Sequence, residues 1–180
     1  MFYSTARNQL HSGKFLSEPE ADHLESVLLR KLDSGEERNA LMLLIAMRTG
    51  ARAGELLAIK KSDFQYNARH VFIRGSKGSN DREVPMPDWL CKKIQAYVHR
   101  LPTERLFDIS YERLTQIWYD FRPVKKRFHS LRHTFALRAY IQTKDIRLVQ
   151  MALGHRSILN TLIYIDYVHR TSELKKIVYN

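Results

Sequence analysis

Residues 38–50 read RNALMLLIAMRTG, and this stretch decides how the chain folds. From Arg38 to Arg48 it is apolar on nearly every side of a helix, which is the pattern of a helix enclosed by the rest of a domain. Gly50 stands where that helix ends, because glycine readily adopts the left-handed conformation of a helix C-terminus. The apolar run from Ala40 to Met47 is the longest in the chain at eight residues, far short of the roughly 20 that cross a bilayer. We therefore expect a central core helix and no membrane span.

Further helical patterns surround this core helix. Ser17 and Glu20 have the spacing of a capping box, and apolar residues follow them at helical intervals as far as Leu32. A short helix is expected from Ala53 to Ile59. Helical periodicity then recurs in six later segments, 88–100, 110–119, about 130–141, 146–152, 157–164 and 172–178.

A short region of β-type sequence interrupts the helices. Residues 70–74 and 82–86 are rich in β-forming residues and flank the glycine-containing loop 75–81, which predicts a β-hairpin. Residues 63–66 are expected to add a third strand. The sequence thus predicts a mainly α (α+β) fold with a small three-stranded antiparallel sheet.

The composition indicates one basic domain. The chain has 180 residues, and its 30 Lys and Arg against 19 Asp and Glu give a formal net charge of +11. Nine of these basic residues lie within 122–156 beside a single acid, Asp145. We therefore expect one face or groove that meets a polyanion, with a generic basic surface for solubility as the alternative.

Cysteine usage and the N-terminus point to an intracellular protein. Cys91 is the only cysteine, which excludes an intrachain disulfide and a cysteine-based zinc site. The first 14 residues lack the apolar core of a signal peptide. We expect a cytoplasmic protein.

Two local features suit the binding of an anion. Arg52 follows the helix-ending Gly50 and begins the next helix, where free backbone N–H groups favour negative charge. Lys77 lies between two glycines at the tip of the hairpin loop, so the loop can approach a phosphate closely. Taken singly, each is ordinarily a surface residue, one at a helix boundary and the other in a solvated turn.

Histidines and a tyrosine form the other two features. His129, Arg132 and His133 have the spacing that places three side chains on one helix face. His155 follows a glycine, and Tyr164 comes nine residues later; singly, they would be a helix cap and a core tyrosine. A zinc site built from His129, His133 and His155 is disfavoured, because the glutamate of the HExxH pattern is absent and the arginine would repel the metal ion.

Taken together, these residues form a recognisable series. The order Arg52, Lys77, His129-x-x-Arg132, His155 and Tyr164 resembles the catalytic signature of the tyrosine recombinase (phage integrase) family, and the contexts TGAR-x-x-EL, KG-x-x-x-R-x-VP, H-x-LRHTFA and LGH-x(8)-Y are similar to that family's motifs. The resemblance covers residues 15–169 and implies the family's α-rich catalytic domain with its small antiparallel sheet. It leaves 1–14 as an N-terminal extension and 170–180 as a C-terminal tail.

The resemblance also implies a chemistry. Arg52 and Arg132 would clamp the scissile phosphate of DNA, Tyr164 would attack it to form a 3'-phosphotyrosyl bond, and Lys77 would protonate the leaving 5'-oxygen. A phenol with a pKa of about 10 is ionised to roughly one part in a thousand at pH 7, so the nucleophile needs a neighbouring base or cations.

Four further residues acquire roles by the same resemblance. His129 and His155 would donate hydrogen bonds to phosphoryl oxygens or carry protons, while Glu55 and His133 would support the site. We expect no metal and no other cofactor, since side chains supply the cations.

Double-stranded DNA is the implied partner. The expected contacts from the basic segment are Lys125, Lys126, Arg127 and Arg156. The family also implies self-association on DNA, with a synaptic tetramer and a C-terminal helix docking on a neighbouring protomer. The cytoplasm of a bacterium or archaeon, or of a phage host, is the expected location, in association with the nucleoid.

Alternatives remain open at this stage. A DNA-binding module that does not cleave, and an enzyme similar to type IB topoisomerases, share the same basic residues. Because about 15 residues precede the matching region where most relatives have a further domain, the sequence fits both an excised catalytic domain and a minimal recombinase.

Overall fold

Helix α2, Glu37–Thr49, forms the centre of the core, as its sequence predicts. The computed structural model describes residues 9–76 and 78–179, and in it every side chain from Ala40 to Ala46 is buried. Gly50 ends the helix with φ +60°. A Cβ at this position would lie 2.6 Å from Cδ1 of Phe135, so glycine is required by backbone conformation and by the packing of a later helix.

Apart from the C-terminal helix, the other helices lie close to the segments predicted for them. Helix α1, Glu18–Lys31, begins with the expected capping box, in which Ser17 N donates to Glu20 Oε2 over 2.8 Å and Glu20 N donates back to Ser17 Oγ. The remaining boundaries are α3 Ala53–Leu57, α4 Asp88–Val98, α5 Tyr111–Phe121, α6 Ser130–Thr143, α7 Ile146–Leu153 and α8 Leu159–Tyr179. None of the helices in the described part of the chain is long and apolar enough to cross a membrane.

The three-stranded antiparallel sheet is confirmed. Its strands are β1 Phe64–Gln65, β2 His70–Ile73 and β3 Arg82–Pro85, in the order β1-β2-β3. Val71 pairs with Phe64 on one side and with Val84 on the other. Burial alternates along β3, so that Arg82 faces inward beside Val84. A charged residue thus lies on the inner face of the sheet.

The prediction of two separate helices near the C-terminus is wrong. The sequence predicted separate helices over 157–164 and 172–178, but Leu159–Tyr179 is continuous. Ser172 was expected to start a new helix. Its hydroxyl instead donates backward to the carbonyl of His169 over 2.8 Å, and no glycine or proline interrupts the segment. The predicted C-terminal tail is therefore an extension of the helix that carries Tyr164.

A second hydrophobic cluster joins the N-terminal segment to the last three helices. Leu10 and Phe15 pack with buried residues of α6, α7 and α8, among them Tyr164. The ring of Phe15 contacts that of Tyr167 edge-on, with centroids 5.1 Å apart. This cluster fixes the part of α8 from which Tyr164 projects.

Candidate active site

The turn between α2 and α3 positions Arg52. The residue is the N-cap of α3, and its backbone N donates to Glu55 Oε2 over 3.0 Å. Its Nη1 donates to Glu55 Oε1 over 2.9 Å and to Ser79 Oγ over 2.6 Å. The guanidinium is about a third exposed, at 29%. Arg52 is thus held in place on one side and open to solvent on the other.

Glu55 is the carboxylate around which the site is built. Its side chain is fully buried, and Oε2 accepts a hydrogen bond from Arg82 Nη2 over 2.8 Å and lies 3.8 Å from Arg132 Nη1. Burial by itself raises the pKa of Glu55, but the hydrogen bonds from Arg82 and the Arg52 backbone, with the charges of Arg82 and Arg132, lower it to about 2. The carboxylate is therefore ionised at neutral pH.

Arg132 joins the ends of two helices beneath this carboxylate. It is 2% exposed, and its Nη1 and Nη2 donate to the carbonyls of Gly50 and Leu153 over 2.7 Å each. Burial and the charge of Arg52 lower the pKa of Arg132 to about 9, which leaves it protonated at neutral pH. With Arg82, three guanidinium groups surround one carboxylate, so the site keeps a surplus of positive charge.

The loop between β2 and β3 docks on the turn between α7 and α8. Ser79 Oγ and Asn80 N both donate to the carbonyl of Gly154, over 3.1 and 2.8 Å. Ser79 and His155 also form an isolated antiparallel bridge. Lys77, the predicted general acid, belongs to this loop but lies outside the described residues.

His155 and His129 are neutral at pH 7. His155 is buried, and its Nδ1 lies 2.9 Å from Thr161 Oγ1. Burial and the charges of Arg132 and Arg52 lower its pKa to about 4. Burial of its imidazole and the same two charges lower the pKa of His129 to about 4, although part of the residue remains exposed to solvent. A neutral imidazole has one N–H to donate and one nitrogen to accept.

His133 and Tyr164 face each other. Their Nδ1 and Oη atoms are 3.0 Å apart, and the ring of His133 also contacts that of His129 edge-on, with centroids 4.7 Å apart. His129 is the N-cap of α6 rather than a residue within it. The predicted cluster therefore forms across the start of the helix.

Tyr164 is almost completely buried, at 1% exposed. Burial raises the pKa of its phenol to about 12, although the charges of Arg132 and Arg52 act in the opposite direction. The phenol is therefore protonated in this arrangement.

The four residues predicted to contact DNA differ in their exposure to solvent. Lys125, Arg127 and Arg156 are exposed. Lys126 is only 14% exposed, and its ammonium group pairs with Glu20 at 2.7 Å. Lys126 is thus engaged within the protein, whereas the other three face solvent.

The histidines do not assemble a metal site. Within residues 9–76 and 78–179, no three His, Cys, Asp or Glu side chains are placed to hold a metal ion together. The surplus of positive charge from Arg52, Arg82 and Arg132 instead makes the site suitable for an anion.

Three polar residues of the site, Arg82, Ser79 and Thr161, were given no role from the sequence. Arg82 stands in the motif KG-x-x-x-R-x-VP, and it precedes Val84 by two positions in a strand whose alternate residues face inward. Thr161 lies three residues before Tyr164, on the same side of α8. No local signal marked Ser79, whose partners are distant in the chain.

Known proteins are similar to this chain in sequence and in fold. The profile of the phage integrase family matches residues 14–170. The tyrosine recombinase XerA of Thermococcus onnurineus strain NA1 is 28% identical over 169 residues, covering 84% of this chain and 60% of that protein. XerC of Staphylococcus aureus strain JH9 is 31% identical over 159 residues, covering 79% and 52%. The chain thus spans about half to three fifths of the length of these relatives.

Solved structures agree with the fold. A crystal structure of XerA recombinase superposes with a TM-score of 0.72 at 26% identity, covering 90% of this chain and 62% of that one. The post-cleavage complex of the XerH site-specific recombinase with palindromic difH substrate gives a TM-score of 0.77 at 25% identity, covering 98% and 55%.

Proposed function

Because this chain belongs to the phage integrase family of tyrosine recombinases, we propose that it cleaves and rejoins DNA strands as a site-specific recombinase. The observation that carries the proposal is the convergence of two arginines on a buried tyrosine. Arg52 and Arg132 share the carboxylate of Glu55, and the charges of both act on the phenol of Tyr164. A nucleophile beside paired guanidinium groups is suited to attack on a phosphodiester.

The two arginines bind the scissile phosphate in different ways. Arg52 is partly open to solvent and already fixed by Glu55 and Ser79, so it meets the phosphate directly. Arg132 uses two of the five N–H groups of a guanidinium for backbone carbonyls and keeps others for a non-bridging oxygen. One preorganised donor of this kind typically contributes about 2.7 to 4 kcal/mol to transition-state stabilisation.

Attack by Tyr164 exchanges one ester for another. Its Oη forms a bond to phosphorus while the bond from phosphorus to the 5'-oxygen breaks, which leaves a 3'-phosphotyrosyl link and a free 5'-hydroxyl. Attack by a 5'-hydroxyl reverses the step and frees the tyrosine. The ester is retained throughout and the cations are side chains, so the reaction uses neither ATP nor a metal ion.

Protons move through neighbouring groups. The phenol of Tyr164 first leaves its bond to His133 and then passes its proton to a neutral imidazole of the site. His129 and His155 donate to phosphoryl oxygens. The assignment of Lys77 as the acid that protonates the 5'-oxygen rests on its place in the sequence motif.

Covalent trapping tests the proposal. The protein is incubated in EDTA with nicked suicide duplexes, including a random-sequence pool, and adducts are resolved on a denaturing gel. We expect a 3'-linked adduct that is absent from Tyr164→Phe. Tyr167→Phe is the matched control, because Tyr167 lies one turn further along α8, and it should form the adduct at the wild-type level.

The outcomes separate an enzyme from a binding module. An adduct that survives in Tyr164→Phe would refute the assigned nucleophile. No adduct with any duplex, together with intact binding that weakens as salt rises, would favour a DNA-binding module that does not cleave. Phosphate contacts release counterions, so affinity is expected to fall steeply with salt.

Exposed basic residues near the site supply such contacts. We assign DNA backbone binding to Lys125, Arg127 and Arg156, which face solvent. Lys126 joins them only if DNA displaces its bond to Glu20. Alanine variants at the first three positions should reduce the dependence of affinity on salt by about one counterion each.

Self-association on DNA completes the proposal. The end of α8 carries exposed apolar side chains, Leu174, Ile177, Val178 and Tyr179, and we propose that it docks on a neighbouring protomer. Deletion of residues 171–180 should abolish assembly of two duplexes into one complex in a gel-shift assay. Unchanged assembly would contradict this role.

A further inference from the structure

The hydroxyl of Thr161 has one bonding partner, and it is a functional histidine. Thr161 is completely buried. Its Oγ1 lies 2.9 Å from Nδ1 of His155, and within residues 9–76 and 78–179 it makes no other hydrogen bond. A buried hydroxyl is strongly favoured to place its hydrogen on an acceptor, so the direction of this bond carries information.

Other helical threonines behave differently. In the described part of the chain, every other threonine within a helix donates its hydroxyl to the carbonyl four residues back, namely Thr49, Thr115, Thr134, Thr143 and Thr171. Thr161 is the third residue of α8, so the residue four positions back, Ser157, precedes the helix. Its hydroxyl is thereby released from the usual backbone bond and is directed to His155.

The direction of the bond follows from the hydrogen count. If Nδ1 of His155 carried a hydrogen and donated it, Thr161 would accept and its own hydroxyl hydrogen would have no acceptor in a buried place. If Thr161 donates, both groups are satisfied. The second arrangement leaves Nδ1 without a hydrogen.

We propose that Thr161 is a positioning residue that fixes the tautomer of His155, donating to Nδ1 so that the single proton of the neutral imidazole stays on Nε2. The ring is neutral at pH 7 because burial and the neighbouring arginines lower its pKa. The nitrogen that bears the hydrogen is set by the bond that the other nitrogen makes.

The tautomer matters for catalysis, and this consequence rests on the proposed function. A phosphoryl oxygen accepts hydrogen bonds and donates none. His155 can serve it through Nε2 only in the form that Thr161 selects, whereas the other tautomer would turn a lone pair toward the anion. Because Thr161 and Tyr164 are neighbours on α8, the helix that carries the nucleophile also orients a donor to its target.

Nitrogen NMR measures the tautomer without DNA. In protein labelled with ¹⁵N-histidine, the signals of His155 are identified by their loss in His155→Gln. At pH 7 we expect a pyridine-type Nδ1 and a pyrrole-type Nε2. In Thr161→Val, which keeps the shape but lacks the hydroxyl, we expect the two forms to mix or exchange. A pyrrole-type Nδ1 in the wild type, or an unchanged tautomer in Thr161→Val, would overturn the proposal.

Cleavage assays test the consequence. Adduct formation should slow by about 10- to 100-fold in Thr161→Val, the range typical when a group that orients a metal-bound histidine is removed. Thr161→Ser restores the hydroxyl and should recover most of the rate. Thr115→Val, on α5, removes a hydroxyl that bonds only a backbone carbonyl, and it should react at the wild-type rate with its His155 signals unchanged.

The NMR and cleavage experiments test the tautomer assignment and its catalytic role separately. A tautomer that responds to Thr161→Val with an unchanged cleavage rate would refute the catalytic role of the bond. If the wild type forms no adduct, the proposed function fails, while the NMR comparison still decides the tautomer assignment.

Discussion

The hydroxyl of Tyr164 lies 3.0 Å from Nδ1 of His133, in a place almost closed to solvent. Burial lowers the pKa of His133 to about 3, with further contributions from the charges of His129 and Lys14, so the imidazole is neutral and its Nδ1 is able to accept. This bond keeps the phenol of Tyr164 protonated and buried. The proposed attack on DNA therefore requires Tyr164 to leave this position or the surrounding surface to open.

The losses from removing the two partners of this bond should not simply add. His133→Phe leaves the Tyr164 hydroxyl buried without an acceptor, and we expect a loss of about 1 to 3 kcal/mol in the free energy of unfolding. In the double variant with Tyr164→Phe, the loss should be smaller than the sum of the single losses by about 1 kcal/mol. Urea denaturation measures all three variants. Strictly additive losses would mean that the two side chains are not coupled.

Arg82 should be the arginine on which the stability of the site depends most. Its pair with Glu55 is buried on both sides, so Arg82→Met leaves a carboxylate with one guanidinium fewer and should cost about 3 kcal/mol or more. Arg100→Met is the matched control, because Arg100 pairs with Glu37 at the surface and such pairs contribute about 1 kcal/mol or less. Equal losses in the free energy of unfolding, measured by urea denaturation, would show that the buried pair contributes no more to stability than the surface pair.

Stability should fall as the pH is lowered from 7 to 5. His155 has a pKa of about 4 in the folded protein and about 6.5 when unfolded. The unfolded state thus binds more protons between these values, and stability is lost as pH falls through that window, by about 3 kcal/mol in total for this residue. Glu55 does not contribute in this window, because the stability that depends on its ionised carboxylate is lost only below about pH 4.3. Denaturation at pH 7, 6 and 5 should show a weaker dependence on pH in His155→Gln than in the wild type, and an equal dependence in the two proteins would contradict this assignment.

Gly154 should not tolerate a side chain. Its φ is +68°, and a Cβ would lie 2.6 Å from the carbonyl oxygen of Asn80. We expect Gly154→Ala to cost about 1 to 2 kcal/mol from the backbone conformation alone, and to slow DNA cleavage by displacing the β2–β3 loop. In Gly35→Ala the added Cβ meets nothing within 4 Å, so this control should keep the wild-type rate. Wild-type cleavage by Gly154→Ala would show that the docking of the loop is not needed for the reaction.

Much of the fold could be predicted because its signals are local. The capping box of Ser17 and Glu20 and the helix end at Gly50 depend on neighbours in the chain, and both were confirmed. The predicted break before Ser172 failed because a serine has two uses in a helix. Its hydroxyl caps a following turn or bonds a preceding carbonyl, and here it does the second.

The candidate site was predictable in its members and not in their contacts. Arg52, His129, Arg132, His155 and Tyr164 were identified from motifs, and the structure brings them together. Arg82 stood in a quoted motif but was given no role, and Thr161 was missed, because each acquires its function from a partner on another element. Glu55 lies 27 residues from Arg82, and no periodicity in either segment indicates that they meet.

The sequence by itself determined the helices and hairpin, the basic charge and the residue types available for phosphate chemistry, since these follow from composition and from interactions within a few positions. Only the tertiary structure decided how those residues are used. Packing buries Glu55 among three arginines, encloses the phenol of Tyr164 against His133 and directs the hydroxyl of Thr161 to His155. The physical reason is that protonation and hydrogen-bond direction depend on desolvation and on groups far apart in the chain, which meet only when the core has formed.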